Sequence, residues 1–117
     1  MENKRRHKRI QLNCFLNVFD VKTKKILGQI LDITIAGFLL MHQELIDVHT
    51  LLRVKIELPE IIMGANYLEL EGKSVWSVMY PGMFNTGFHI EKISPEQIAI
   101  ISLLIDKYGI NNKIPLV

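Results

Sequence analysis

The most constraining feature of this 117-residue chain is a strict alternation of apolar and polar side chains over residues 52–58. The apolar residues are Leu52, Val54, Ile56 and Leu58, and the residues between them are Arg53, Lys55 and Glu57. Because successive side chains of a β-strand point to opposite faces, this period of two predicts a strand with one buried face. We expect the strand to end at Pro59, which cannot donate a ladder hydrogen bond.

Similar apolar patterns predict five more strands, over residues 10–19, 26–33, 38–41, 67–78 and 84–90. In the fifth strand of the chain, Leu68, Leu70 and Trp76 are expected to point inward. Short connections join the strands, and closing a sheet on itself removes its exposed edges. The sequence therefore predicts a mainly β fold, a six-stranded antiparallel barrel with one C-terminal helix.

The helix has a clear start signal at residues 94–97. Ser94 is the expected N-cap, Pro95 the first helical residue, and Gln97 stands where a capping box needs Glu or Gln. The helix should end near Gly109. We therefore predict a single domain made of a flexible basic arm (1–9), a barrel (10–93), a helix (94–109) and a tail (110–117).

The apolar stripe of this helix is wider than packing on one surface requires. Ile98, Ile101, Leu104 and Ile105 form one stripe, and Ile100, Leu103 and Tyr108 widen it. The excess suggests a second contact, with a partner protein or with a second copy of the chain. A homodimer through the C-terminal helix is therefore one prediction.

Several classes of protein are disfavoured by the sequence. The uncharged apolar run at residues 97–105 is far shorter than the roughly 20 residues that cross a bilayer. The lone Cys14 agrees with a reducing compartment, so we predict a cytoplasmic protein without a membrane span. The four histidines show no metal-ligand spacing with Cys14, and no phosphate-cradling glycine loop is present. We therefore expect no metal, no cofactor and no enzymatic activity.

The positive charge of the chain is concentrated in its first nine residues. They hold five basic side chains and one acidic one, Glu2, whereas the rest of the chain is mildly acidic. The basic residues are Lys4, Arg5, Arg6, Lys8 and Arg9. Arg5 and Arg9 lie four residues apart, on the same side of an extended segment, and could grip two parts of one anionic ligand. A guanidinium group can bind the O6/N7 edge of guanine or a phosphate through two hydrogen bonds. A solvated basic terminus is the alternative interpretation.

A second candidate motif lies at residues 32–37, between the second and third predicted strands. Asp32 could accept hydrogen bonds from the N1–H and N2–H donors of guanine, and Thr34 could add a hydroxyl group. Gly37 allows a tight turn with a close backbone approach. Taken alone, the motif also fits a turn that only satisfies its own backbone.

Taken together, the two motifs resemble a known family. Arg5-x-x-x-Arg9 followed by Asp32-x-Thr34-x-x-Gly37 is similar to the paired signature of PilZ domains, bacterial receptors for cyclic di-GMP. Val75-Trp76 and residues 87–90 also match recurrent PilZ patterns. The resemblance thus covers nearly the whole chain.

The resemblance implies a barrel whose arm folds over the ligand. Arg5 and Arg9 would contact guanine edges and phosphates, with Lys4 and Arg6 beside them. Asp32 would bind a guanine, and Thr34 and Gly37 would shape the turn beneath it. Most family members have Ser where this chain has Thr34, so the resemblance implies the hydroxyl group at this position but not the family's affinity for the ligand.

The function predicted on this basis is a bacterial cyclic di-GMP receptor. Its arm changes conformation on binding, and because we expect no output domain within the chain, the signal would pass to a partner protein. Two alternatives stay open. One is a small nucleic-acid-binding barrel, whose binding would not need Asp32 and would weaken steeply as the salt concentration rises. The other is a PilZ-like scaffold that acts through protein contacts without a ligand.

Overall fold

The computed structural model describes residues 10–109, which form six strands and one helix. The elements are β1 (Ile10–Asp20), β2 (Ile26–Ile33), β3 (Gly37–His42), β4 (Leu51–Ile62), β5 (Ala65–Tyr80), β6 (Met83–Ile90) and α1 (Pro95–Tyr108). All neighbouring strands are antiparallel and close into a barrel in the order β1-β2-β3-β6-β5-β4. The predicted fold class is confirmed.

The core of the barrel is formed by the inward-facing residues of the alternating strands. Val18, Ile30, Leu40 and Ile56 are each completely buried. α1 packs against β1 and β4 and adds Ile101 and Leu104 to the same apolar cluster. Burial of this continuous cluster is the main source of stability in a domain of this size.

The N-terminus of α1 carries the predicted capping box. The Ser94 hydroxyl accepts a hydrogen bond from the Gln97 N–H at 3.1 Å, and the Gln97 Oε1 accepts from the Ser94 N–H at 2.7 Å. The Gln97 Nε2 also donates to the carbonyl of Glu69 on β5 at 2.7 Å. The cap therefore fixes the helix to the barrel as well as starting it.

The wide apolar stripe of α1 is largely explained by contacts within the chain. Ile100 is buried, and the Tyr108 hydroxyl donates to Glu60 on β4 at 3.0 Å. Of the three widening residues, only Leu103 is exposed. The homodimer through this helix stays a prediction. Over residues 10–109, no helix is long and apolar enough to span a membrane.

Pro59 does not end β4, so that expectation is wrong. The strand continues to Ile62, and its pairing with β5 shifts register between Glu57 and Ile62. Pro59 is exposed within this irregular stretch. A proline is tolerated there because a disrupted ladder does not require its missing N–H.

Trp76 does not point into the core, which corrects the second expectation about the strands. Leu68 and Leu70 point inward as predicted and are buried, and Ser74 continues the same alternation and is also buried. The pairing of β5 with β6 then shifts register between Ser74 and Trp76. The extra residue, Val75, forms a bulge that moves Trp76 to the outer face, where it is 38% exposed.

Candidate ligand-binding face

Four residues form a row across the outer surface of the barrel, which we call the outer row. Asp32 on β2 pairs with Leu39 on β3, Leu39 pairs with Gly87 on β6, and Gly87 pairs with Trp76 on β5. The residues next to Asp32, Leu39 and Gly87 in the sequence are Ile33, Phe38 and Phe88, which are buried and point inward. The outer row therefore lies on the outer face of the barrel. At about 4.8 Å per strand, the outer row spans roughly 14 Å from Asp32 to Trp76.

The Trp76 end of the outer row is a flat aromatic surface. A Cβ atom built at Gly87 would collide with the Nε1 and Cε2 atoms of the Trp76 indole. The ring therefore lies against the bare backbone of β6, and only glycine leaves room for it. An indole that is partly exposed in this way can stack on a nucleobase.

Two further rows flank the outer row. On one side Met41, Asn85 and Val78 are paired across β3, β6 and β5. The Oδ1 atom of Asn85 is buried and has no hydrogen-bond partner among residues 10–109. A buried acceptor without a partner is costly, so this atom is suited to a donor supplied by a ligand.

On the other side of the outer row lie Gly37, His89 and Lys73, again paired across β3, β6 and β5. His89 is exposed and Lys73 is half-buried. The described part of the face thus has one acidic residue at one end, Asp32, and basic or ionisable groups along its border. Neither Asn85 nor Lys73 was identified from the sequence.

The turn after Asp32 is held by Thr34. The Thr34 N–H donates to the carbonyl of Gly37 at 2.8 Å, and its hydroxyl oxygen accepts from the Ala36 N–H at 3.0 Å. The Thr34 side chain is buried. Thr34 therefore sets the geometry of the turn by bonding to its backbone, which is the role that the alternative interpretation of the motif gives it. Asp32 lies at the end of the outer row.

Gly37 permits a close approach between β3 and β6. A Cβ atom at this position would collide with the carbonyl oxygen of Phe88. The Ile90 N–H also donates to the carbonyl of Ala36 at 2.8 Å, which fastens the turn to β6. The turn and the outer row are therefore parts of one rigid surface.

The first strand enters the barrel next to this turn. Ile10 pairs with Ile33, and Gln11 pairs with Asp32. The predicted ligand residues Lys4, Arg5, Arg6 and Arg9 lie outside the described residues. Of the predicted site, the structure describes Asp32, Thr34 and Gly37, all on one turn.

A buried polar chain lies inside the barrel behind the face. The Nδ1 of His42 is 2.7 Å from the carbonyl of Glu44, and its Nε2 is 2.6 Å from the Thr86 hydroxyl, which is 3.0 Å from that of Ser77. Because a carbonyl only accepts, Nδ1 donates, so Nε2 accepts from Thr86 and Thr86 accepts from Ser77. Burial lowers the pKa of His42, with a smaller opposing effect from the Glu44 bond. The neutral ring thus links β3 to β6 and β5 beneath Gly87 and Trp76.

Other reactive groups do not assemble a site in the described part of the chain. Cys14 packs partly buried against the core, and burial raises the pKa of its thiol, which disfavours a nucleophilic thiolate. Within residues 10–109 there is no group of three or more side chains that could hold a metal ion.

Comparisons with known proteins identify the fold. No family model and no curated protein matches the sequence. Among solved structures, the inhibitor of motility MotI/DgrA of Bacillus subtilis has a TM-score of 0.68 at 18% identity, over 92% of this chain and 53% of that one. YcgR from Escherichia coli, solved in complex with c-di-GMP, has a TM-score of 0.69 at 12% identity, over 90% of this chain and 46% of that one.

A third structure is similar to the same extent. MrkH from K. pneumonia, in its apo state, has a TM-score of 0.70 at 12% identity, over 92% of this chain and 52% of that one. The chain spans about half the length of the solved structures it matches. These are PilZ-domain proteins, so the likeness supports a PilZ-like fold.

Proposed function

We propose that the chain is a cyclic di-GMP receptor that binds the dinucleotide on the outer row and signals to a partner protein. One observation carries the proposal. β1 begins at Ile10, which pairs with Ile33, the residue after Asp32, and Arg9 directly precedes Ile10 in the sequence. The cationic arm and the acidic turn, far apart in sequence, are thereby attached to the same edge of one surface.

The length of the arm matches the length of the surface. Arg5 is five residues from Ile10, and five extended residues span at most about 17 Å. The outer row extends about 14 Å from Asp32 to Trp76. The arm starts on β1, one strand farther from Trp76 than Asp32 is, so about 19 Å separates Ile10 from Trp76 across four strand spacings. The backbone of an extended arm covers most of this distance and the long Arg5 side chain the remainder, so Arg5 can reach the aromatic end of the row and Arg9 the acidic end.

The chemistry of the two ends suits a guanine dinucleotide. Asp32 accepts from the N1–H and N2–H groups of one base, while the Trp76 ring offers a stacking surface to a base. The arginine pair binds phosphates or the O6/N7 edges, with Lys4 and Arg6 adding positive charge. Thr34 and Gly37 hold the turn that presents Asp32.

The signal leaves the protein through the arm. The ligand binds the state in which the arm lies over the row more tightly than the open state, and so shifts the population toward it. The altered surface is then available to a second protein. Residues 10–109 contribute a rigid scaffold to this two-state element. A bacterial, cytoplasmic setting follows from the choice of ligand and belongs to the same proposal.

The fold of the solved neighbours supports this function. YcgR, which shares the fold, was solved with c-di-GMP. At 12% identity the likeness fixes the fold, and the ligand is inferred from the motifs of this chain. None of the proposed steps is catalytic.

Calorimetry with cyclic di-GMP tests the proposal. We expect Arg5→Ala, Arg9→Ala and Asp32→Ala each to weaken binding at least about tenfold, which corresponds to about 1.4 kcal/mol. Arg53→Ala and Asp106→Ala are matched controls, because both side chains are exposed and lie on β4 and α1, which are not part of the outer row. Unchanged affinity in all three site variants would contradict the proposed site.

The same variants separate the alternatives. Binding of a single-stranded oligonucleotide that falls steeply with salt and tolerates Asp32→Ala would favour a nucleic-acid-binding barrel. A folded wild-type protein that binds neither ligand would favour the scaffold that acts through protein contacts alone.

A further inference from the structure

The last part of β5 has an open edge. β4 pairs with β5 only as far as Lys73, opposite Leu51. The N–H of Ser74 donates to Thr50 at 2.9 Å, and its carbonyl accepts from His49 at 2.7 Å. Beyond this point, β5 pairs only with β6 among residues 10–109, so its other edge from Ser77 to Tyr80 is not covered by any other described strand.

The hairpin geometry shows which backbone groups lie on this edge. Tyr80 and Met83 flank a two-residue loop and are paired. Residues that flank such a loop bond to each other, and bonded and non-bonded pairs alternate along an antiparallel ladder. Ser77 and Met79 therefore direct their N–H and C=O groups away from β6. The open edge carries two donors and two acceptors.

Within the described part of the chain, the open edge lacks the usual protection against pairing. No Asp, Glu, Lys or Arg occurs anywhere in residues 74–88. Val78, Met79 and Tyr80 are 43%, 72% and 49% exposed. Solvent-facing strand edges normally carry charged residues, proline or a covering loop to prevent association. An uncharged apolar edge is suited to another strand.

We propose that this open edge pairs in antiparallel fashion with the same edge of a second copy of the chain, with the twofold axis at Val78. In this register Ser77 of each copy lies opposite Met79 of the other. These two residues direct their backbone groups away from β6, so the four N–H donors and the four C=O acceptors of the two edges are all matched in bonded pairs. The two edges carry no like charges that would oppose the pairing.

The side chains are complementary in the same register. Trp76, Val78 and Tyr80 share the outer face of β5, since each pairs with an outward residue of β6. Across the axis Val78 meets Val78, and Trp76 of each copy meets Tyr80 of the other. Cross-strand aromatic and β-branched pairs stabilise antiparallel sheets. The pairing is isologous and closes at two copies.

This arrangement would place two outer rows on one continuous surface. It does not depend on cyclic di-GMP, because it uses only the backbone and apolar side chains of β5. It also differs from a dimer through α1, which would leave the β5 edge open.

Analytical ultracentrifugation over a range of protein concentrations tests the pairing. We expect a dimer for the wild type and a monomer for Val78→Lys, because two ammonium groups would meet at the axis. Ile61→Lys is the matched control, since Ile61 is an exposed apolar residue of β4 away from this edge. Two results overturn the proposal. One is a wild type that stays monomeric, which would leave the edge to a strand of another protein. The other is a dimer that persists in Val78→Lys.

Cysteine cross-linking tests the register. In a Cys14→Ser background, we expect Val78→Cys to form a disulfide-linked dimer under mild oxidation. Residues opposite each other in a non-bonded antiparallel pair have Cα atoms about 4.5 Å apart, a separation that a disulfide can bridge. Ile61→Cys should not cross-link. Cross-linking of Ile61→Cys but not of Val78→Cys overturns the register, as does equal cross-linking of both.

Discussion

The indole ring of Trp76 lies directly on the backbone of Gly87, on neighbouring strands of the outer face. The contact exists because a bulge at Val75 moves Trp76 out of the core and because residue 87 has no side chain. It creates the aromatic end of the outer row.

Replacing Gly87 by alanine should displace this ring. The added methyl group collides with the indole, so we expect a loss of about 1–3 kcal/mol in the free energy of unfolding. Because Trp76 is the only tryptophan, its emission spectrum reports the displacement directly and should shift to the red. Ser102→Ala, on the exposed side of α1, should change neither quantity. Wild-type emission and stability in Gly87→Ala would show that the ring does not depend on the bare backbone.

The hydroxyl group of Thr34 should matter more than its methyl group. Thr34→Val leaves the half-buried Ala36 N–H without its acceptor, which costs about 0.5–1.5 kcal/mol, the net contribution of a typical hydrogen bond. Thr34→Ser keeps the acceptor and should cost less than Thr34→Val. Urea unfolding of the two variants and the wild type measures the difference. Equal destabilisation by valine and serine would contradict the role of this hydroxyl in the turn.

Buried His42 should make stability depend on pH. Burial lowers its pKa in the folded protein below the ordinary value of 6.5. Below about pH 6.5 the unfolded chain therefore binds more protons than the folded protein. The contribution of neutral His42 to the free energy of unfolding is complete above about pH 6.5 and is lost as the pH falls from there toward the pKa of the folded state. Denaturant unfolding measured between pH 5 and pH 8, a range that brackets the ordinary histidine pKa, should show this decline in the free energy of unfolding.

The control for this dependence is another histidine. His42→Gln should flatten the profile between these pH values, whereas His89→Gln, at an exposed position of β6, should keep the wild-type slope. An unchanged slope in His42→Gln would assign the pH dependence to other groups.

The strands and the helix cap were predictable because their signals are local. The period of two over residues 10–19 specifies β1 (Ile10–Asp20) to within one residue, and the capping box at Ser94 lies in four consecutive residues. Pro59 and Trp76 were placed wrongly because each lies where the pairing of two strands shifts register, at Trp76 through a bulge. A bulge is fixed by the pairing with a neighbouring strand, which the alternation within one strand does not contain.

The residues of the candidate site also differ in whether a local sequence signal identifies them. Asp32, Thr34 and Gly37 were identified because they belong to one turn. Leu39, Asn85 and Lys73 approach Asp32 or Trp76 only through the register of β3, β6 and β5. One sequence signal was present, since a glycine opposite an aromatic residue on a paired strand is a known way to cover a glycine in a sheet. Using it requires the register of the β5–β6 hairpin, which depends on the bulge.

Binding of cyclic di-GMP should be visible in the fluorescence of Trp76. If a guanine stacks on the indole, titration with the ligand should change the emission intensity with the same affinity that calorimetry gives. Trp76→Ala should weaken binding by about 1–3 kcal/mol, whereas Trp76→Phe keeps a ring and should lose less. Tyr67→Ala removes an exposed aromatic residue elsewhere on β5 and should bind like the wild type. Circular dichroism establishes that each variant is folded. Full affinity in folded Trp76→Ala would restrict the binding face to the Asp32 end of the outer row.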